Sequence, residues 1–174
     1  MEVKTVEEAE HLKKTILINA EKTFEQLKTK AESLSAMTFL AEVKFDKMGI
    51  DPLEGTELNF IEQINQMFSD LVVLEGAGQL LQLYPNTTLK LNLGSASGFD
   101  IESDDGEVVA ECFAVTTATS NRKIEKDCSK LMSKAHDKQK YIYFYSRSDS
   151  DEKLQRIMDK YPEITFTRIA EFIL

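Results

Sequence analysis

At 174 residues, with 42% hydrophobic and 29% charged residues, the chain has the makeup of a folded domain and not of a disordered tail. Its formal net charge of −9 argues against a protein that grips nucleic acid through overall charge, since dedicated nucleic-acid surfaces are basic. Two cysteines and two histidines, with no CxxC pair, are too few for a zinc site, and apolar runs as short as Leu71-Val72-Val73-Leu74 cannot cross a bilayer.

The opening Met1-Glu2-Val3-Lys4 and the acids after it are too polar for a secretory signal, so a cytoplasmic protein with reduced Cys112 and Cys128 is expected. Residues 5–34 then read as one long helix. Val6, Ala9, Leu12, Ile16, Ala20, Phe24, Leu27, Ala31 and Leu34 recur at spacings of three and four, and Thr5 with Glu8 fits a capping box. A second periodic stretch covers 34–47, and Asp51-Pro52-Leu53-Glu54-Gly55 reads as a turn. A third helix starts near Glu57 or Asn59 and carries Phe60, Ile61, Ile64, Met67, Phe68, Leu71 and Val72. It is expected to reach Leu83, although Gly76 and Gly78 weaken it, and Pro85 stops it.

Beyond Pro85 the period changes from helical to alternating. Residues 88–93 read as a strand, 94–98 as a loose connection and 99–102 as a second strand. Asp104-Asp105-Gly106 signals a hairpin leading into a long strand over 107–117. Residues 121–138 form an amphipathic helix with Ile124, Cys128, Leu131 and Ala135 on its apolar face. Residues 140–146 are a buried strand whose Tyr141, Tyr143 and Tyr145 are read as packing residues. A helix over 149–160, with Asp149, Asp151 and Glu152 capping it, precedes a last strand from Ile164. The fold class is α/β: a helical N-terminal region over 1–55, then a mixed sheet flanked by helices over 56–174, all in one compact unit.

One acid in the long strand is conspicuous. Glu111 sits within Val108-Val109-Ala110 and Cys112-Phe113-Ala114-Val115, where both strand faces are apolar, and a buried carboxylate needs a cation or a proton. Asp100, in Gly98-Phe99-Asp100-Ile101, lies across the hairpin from it. This strand, hairpin, strand, helix, strand order, with Asp100 and Glu111 on adjacent strands, resembles the core of the PD-(D/E)XK nuclease superfamily over roughly residues 88–146, with an acidic helix upstream.

The resemblance implies a restriction-endonuclease-like fold and a metal-dependent DNA endonuclease. Asp100, Glu111 and the backbone carbonyl of Cys112 would ligate Mg²⁺ or Mn²⁺. An acid on the preceding helix, Glu62 first and Glu75 second, would assist. Hard oxygen ligands from two strands suit such a cation. The superfamily's lysine belongs two residues after the Glu, where this chain has Phe113. Lys123, Lys126 and Lys130, in that order, are the candidates to replace it from the following helix. Glu42-Val43-Lys44 matches the ExK pattern but lies in a helical stretch.

Arg122, Lys126, Lys130, Lys134 and Lys138 recur every four residues, a row expected opposite the apolar helix face. It would be either a solvated face or a surface for DNA phosphates. Restriction-type nucleases usually pair, so the resemblance also implies a homodimer, with the long first helix as a contact. The alternative reading, favoured by Phe113 and the acidic charge, is an inactive member of the fold acting as a binding module: a DNA-binding subunit or a nuclease inhibitor.

Overall fold

The computed structural model describes residues 1–93, 97–148 and 150–170. In chain order these form β1 (Glu2–Val3), α1 (Val6–Ser33), α2 (Ala36–Phe45), β2 (Gly49–Ile50), β3 (Glu57–Leu58) and α3 (Phe60–Leu83). They continue as β4 (Leu89–Leu91), β5 (Ile101–Ser103), β6 (Val108–Val115), α4 (Lys123–Lys134), β7 (Gln139–Ser146), α5 (Asp151–Met158) and β8 (Ile164–Arg168). Asp149 and residues 94–96 of the expected connection lie outside the described residues. No helix among those described is long and apolar enough to cross a membrane.

A six-stranded mixed sheet runs in the order β1-β4-β5-β6-β7-β8. Its first four strands pair antiparallel, and β6, β7 and β8 run parallel. The parallel steps need crossovers, which α4 and α5 supply. Alternation along the strands sorts the core into two clusters. On one face Leu91, Ile101, Ala110, Cys112 and Tyr143 pack with Ile16 of α1 and Val72, Leu74 and Leu80 of α3. On the other, Val109, Phe113, Ile142 and Phe144 pack with Ile124, Cys128 and Leu131 of α4 and Leu154 of α5. The result is a sheet with helices on both sides, as α/β patterning dictates.

Local chemistry sets the element ends. The Thr5 hydroxyl accepts from the Glu8 N–H, while the Glu8 carboxylate accepts from the N–H of Lys4, one residue earlier than a strict capping box. Asn59 caps α3 by accepting from the Ile61 N–H, and its amide donates to the carbonyls of Lys44 and Asp46. The buried Gln63 joins three elements: its Oε1 accepts from the Thr23 hydroxyl at 2.8 Å and from the Ile50 N–H at 2.9 Å. The hairpin at Asp104-Asp105-Gly106 forms as expected, with Gly106 at a φ of 75°.

Several details differ from the sequence reading. The 51–55 turn lies inside a two-stranded ribbon of β2 and β3, each too short to show alternation. The second core strand begins at Ile101, because Asp100 turns its carboxylate into the sheet. The helix expected over 121–138 starts at Lys123, after Asn121 and Arg122 take left-handed φ values. It stops at Lys134. Asp137 adopts a φ of 61° and the Gln139 N–H bonds to the Glu107 carbonyl, drawing the chain into the sheet.

The two glycines of α3 behave differently. A Cβ at Gly76 would lie 2.7 Å from Cδ2 of Tyr143, whose ring is fixed in the core, so the helix crosses the sheet through a glycine. A Cβ at Gly78 meets nothing within 4 Å. Gly76→Ala is therefore expected to destabilise the protein by about 1–3 kcal/mol. Gly78→Ala is expected to stabilise it by up to about 1 kcal/mol through helix propensity. Urea unfolding checks both, and equal stabilities would refute the close crossing.

Candidate functional site

The pairing of β5 with β6 places Ile101 opposite Ala110 and Glu102 opposite Val109. One step further, where Asp100 and Glu111 would face each other, the ladder changes character. Oδ2 of Asp100 accepts the Cys112 N–H at 2.6 Å, in place of a backbone carbonyl. The Asp100 carbonyl still accepts from the Asn92 N–H, so the residue stays tied to the edge of β4 while its side chain bridges to β6. N–H and C=O of a strand residue point to the same side, so the Cys112 carbonyl is directed at this same opening.

Glu111 has the parity of Val109 and Phe113 and lies on the α4 face, only 2% exposed. Opposite it, α4 presents Lys123, Asp127 and Lys130, spaced four and three apart on the edge of its apolar stripe. The Lys130 ammonium lies 2.6 Å from Oε1 of Glu111, an ion pair across the helix–sheet contact. It also donates to the Gly98 carbonyl at 2.6 Å and lies 5.6 Å from the Phe99 ring centroid. Lys123 pairs with Asp127 at 2.8 Å and lies 5.2 Å over the Phe113 ring.

Asp100, Glu111 and a helix lysine are thus brought together, but that lysine is Lys130, third in the expected order. Lys123 is about two turns away and committed to Asp127. Lys126 is exposed to solvent. Glu62 is exposed in the first turn of α3, and Glu75 pairs with Lys13 of α1. Both lie on the helix that packs against the opposite sheet face, so neither joins the cluster. The Cys112 thiol lies on that opposite face too, leaving only the residue's backbone at the site.

The basic row is partly dismantled. Arg122 precedes α4 and pairs with Glu125, and Lys138 follows it and pairs with Glu102. Lys130 points into the sheet, while Lys126 and Lys134 are exposed. A row spaced by four drifts around the helix by roughly 40° per step, which carries Lys130 closer to the apolar face than Lys126 and onto Glu111. Asp127 escaped the sequence reading. Its signal was the Lys123, Asp127, Lys130 spacing beside Ile124, Cys128 and Leu131.

Burial dominates the electrostatics. It pushes the Glu111 carboxyl up to about 7, with Lys130 opposing and Asp100 adding to the rise. Burial also raises Asp127, against the pull of Lys123, and raises Asp100, against the Cys112 N–H. Among the described residues no group of three or more His, Cys, Asp or Glu side chains is placed to hold a metal ion. The candidate oxygen ligands are the Asp100 and Glu111 carboxylates and the Cys112 backbone carbonyl. Such a set fits Mg²⁺, which binds through one or two carboxylates and keeps its remaining waters. Phe113 fills the motif-lysine position as core, stacked on Phe144 at 5.6 Å.

A second buried acid, Asp70 of α3, is raised to about 7 by burial, and its Oδ2 has no hydrogen-bond partner. Both acids hold their protons more tightly folded than unfolded, where Glu111 titrates near 4.5 and Asp70 near 3.8. Their contribution to stability is therefore full below those ordinary values and is lost as pH rises through about 7. Glu111→Gln and Asp70→Asn should each flatten that fall, and Asp70→Asn should stabilise at pH 8 by roughly 1–3 kcal/mol. Urea unfolding across pH tests this; an unchanged slope in both variants would contradict it. No protein-family model matches the chain, and no curated protein or solved structure matches it.

Proposed function

We propose that the chain is a restriction-endonuclease-like protein that hydrolyses DNA phosphodiester bonds with a divalent cation, Mg²⁺ or Mn²⁺. One observation carries this reading: Asp100, Glu111 and the Lys130 ammonium meet on one sheet face where β5 gives way beside β6. The element order supports it, since α3, three antiparallel strands, α4 and a parallel strand follow the sequence the resemblance calls for. A buried carboxylate at Glu111, beside a half-buried Asp100, is also costly unless a cation is held there.

In this reading Asp100, Glu111 and the Cys112 carbonyl hold the cation. Bound there, it supplies a Lewis acid for the phosphoryl oxygen and acidifies a water. Lys130 takes the place of the lysine that Phe113 displaces. Released from Glu111, its ammonium orients the attacking water and offsets charge on the phosphate. Asp127 holds Lys123 and fixes the facing surface of α4. The exposed Lys126 and Lys134, with Arg122, offer phosphate contacts along the helix. Both cysteines are unbridged thiols, which suits a cytoplasmic setting.

A second reading has its own observation. Phe113 is built into the core, and Lys130 already neutralises Glu111, so the cluster can stand as structure in an inactive binding module. Calorimetric titration with Mg²⁺ and Mn²⁺, beside a plasmid-nicking assay, separates the two. The nuclease reading expects metal binding that Asp100→Asn weakens. It also expects a nicking rate that Lys130→Met lowers by roughly 100-fold or more while the variant stays folded. Absence of both binding and nicking would leave the module.

A further inference from the structure

A polar stripe is buried where α3 meets α1, on the far side of the sheet from Glu111. Asn19 and Thr23 of α1 and Gln63 and Asp70 of α3 are between 2% and 4% exposed. Three of them are satisfied. The Thr23 hydroxyl donates to Gln63, Gln63 also accepts from the Ile50 N–H, and the Asn19 amide donates to the Asp51 and Pro52 carbonyls. Asp70 is different: its Oδ2 is buried with no hydrogen-bond partner.

A second carboxylate is drawn toward it. Gln63, Gln66 and Asp70 follow one another at spacings of three and four, so they share one face of α3. The Gln66 amide reaches Oδ2 of Asp51 at 3.4 Å and also hydrogen-bonds the Asp70 side chain. One amide thus serves two acids, one from the helix and one from the 51–55 turn. Oδ1 of Asp51 is used by the turn itself, accepting from the N–H groups of Leu53 and Glu54.

The other buried acids described here are each met by a lysine, Glu111 by Lys130 and Asp127 by Lys123. The charge acting on Asp70 is instead another acid, Asp51, with no basic side chain opposing it. A carboxylate enclosed in this way is costly unless a proton or a cation is held beside it.

We infer that Asp70, Asp51 and Gln66 form a binding site for Ca²⁺ that clasps the 51–55 turn to α3. Two carboxylates match the charge of a divalent ion. The Gln66 amide is nearly symmetric in shape, so by turning over it exchanges an N–H donor for its Oε1 as a third, neutral ligand. Asp51 and Gln66 are half-buried, so the ion enters from their side and keeps water there. Ca²⁺ accepts mixed carboxylate, amide and water oxygens in flexible geometry. Mg²⁺ fits less well, because it demands a near-ideal octahedron and sheds its waters reluctantly. With only two carboxylates the affinity falls in the weak class, on the order of 10⁻⁴–10⁻³ M. The site rests on none of the residues of the proposed nuclease centre.

Thermal unfolding of the full chain at pH 8, where the Asp70 carboxyl is ionised, tests it. CaCl₂ at about 10 mM is expected to raise Tm by roughly 3–10 °C over NaCl of equal ionic strength. The rise is expected to vanish in Asp70→Asn and in Asp51→Asn, the second of which retains an acceptor for the Leu53 and Glu54 N–H groups and so keeps the turn. It is expected to persist in Asp100→Asn, which separates this site from the one at Glu111. No rise in the unmodified chain would overturn the inference. So would a rise that survives Asp70→Asn or Asp51→Asn, or one that is lost in Asp100→Asn.

Discussion

The constraint on which the rest of this structure turns is a carboxylate placed in the middle of a buried strand. Glu111 has apolar neighbours on both sides in sequence and lies under α4 in space. Left alone, its ionised form would cost several kcal/mol. A cation beside it answers part of that cost. Lys130 reaches in from α4 and fixes the helix over the sheet. Asp100 turns inward as well, but is anchored on the Cys112 N–H, so the two acids share a face without sharing a hydrogen bond.

This arrangement links packing to chemistry. The parallel step from β6 to β7 requires a crossover helix, and Ile124, Cys128 and Leu131 seat that helix on Val109, Phe113 and Phe144. Seating it there brings Lys123, Asp127 and Lys130 to the sheet as a consequence of their helical spacing. The opposite face is occupied by α3 and α1, which pass so close at Gly76 that a methyl group would strike Tyr143. Acids on α3 are thereby kept from the cluster by the thickness of the sheet. The polarity of this site comes from one helix and two strand residues.

Much of the architecture could be read from residue order alone. The switch from three-and-four spacing to alternation after Pro85 marked the change from helices to sheet, and Asp104-Asp105-Gly106 marked the hairpin. Glu111 was recognisable because acids are rare in such apolar surroundings, and Asp100 because the resemblance calls for an acid on the strand before it. What sequence could not supply was the rotation of α4. Lys123, Lys126 and Lys130 differ only in which way the helix faces, and that is settled by Ile124, Cys128 and Leu131 packing on β6 and β7. Asp127 was hidden for the same reason. Glu62 looked suitable because spacing along a chain says nothing about which side of a sheet a helix will cover.

The central claim is that Glu111 and Lys130 form an energetically coupled pair that holds α4 to the sheet. A double-mutant cycle with Glu111→Gln and Lys130→Met, read by urea unfolding at pH 8, tests it most directly. The account predicts a coupling energy above about 1 kcal/mol, within the range for residues in direct contact. Effects that add to within about 0.3–0.5 kcal/mol, as for distant sites, would contradict it.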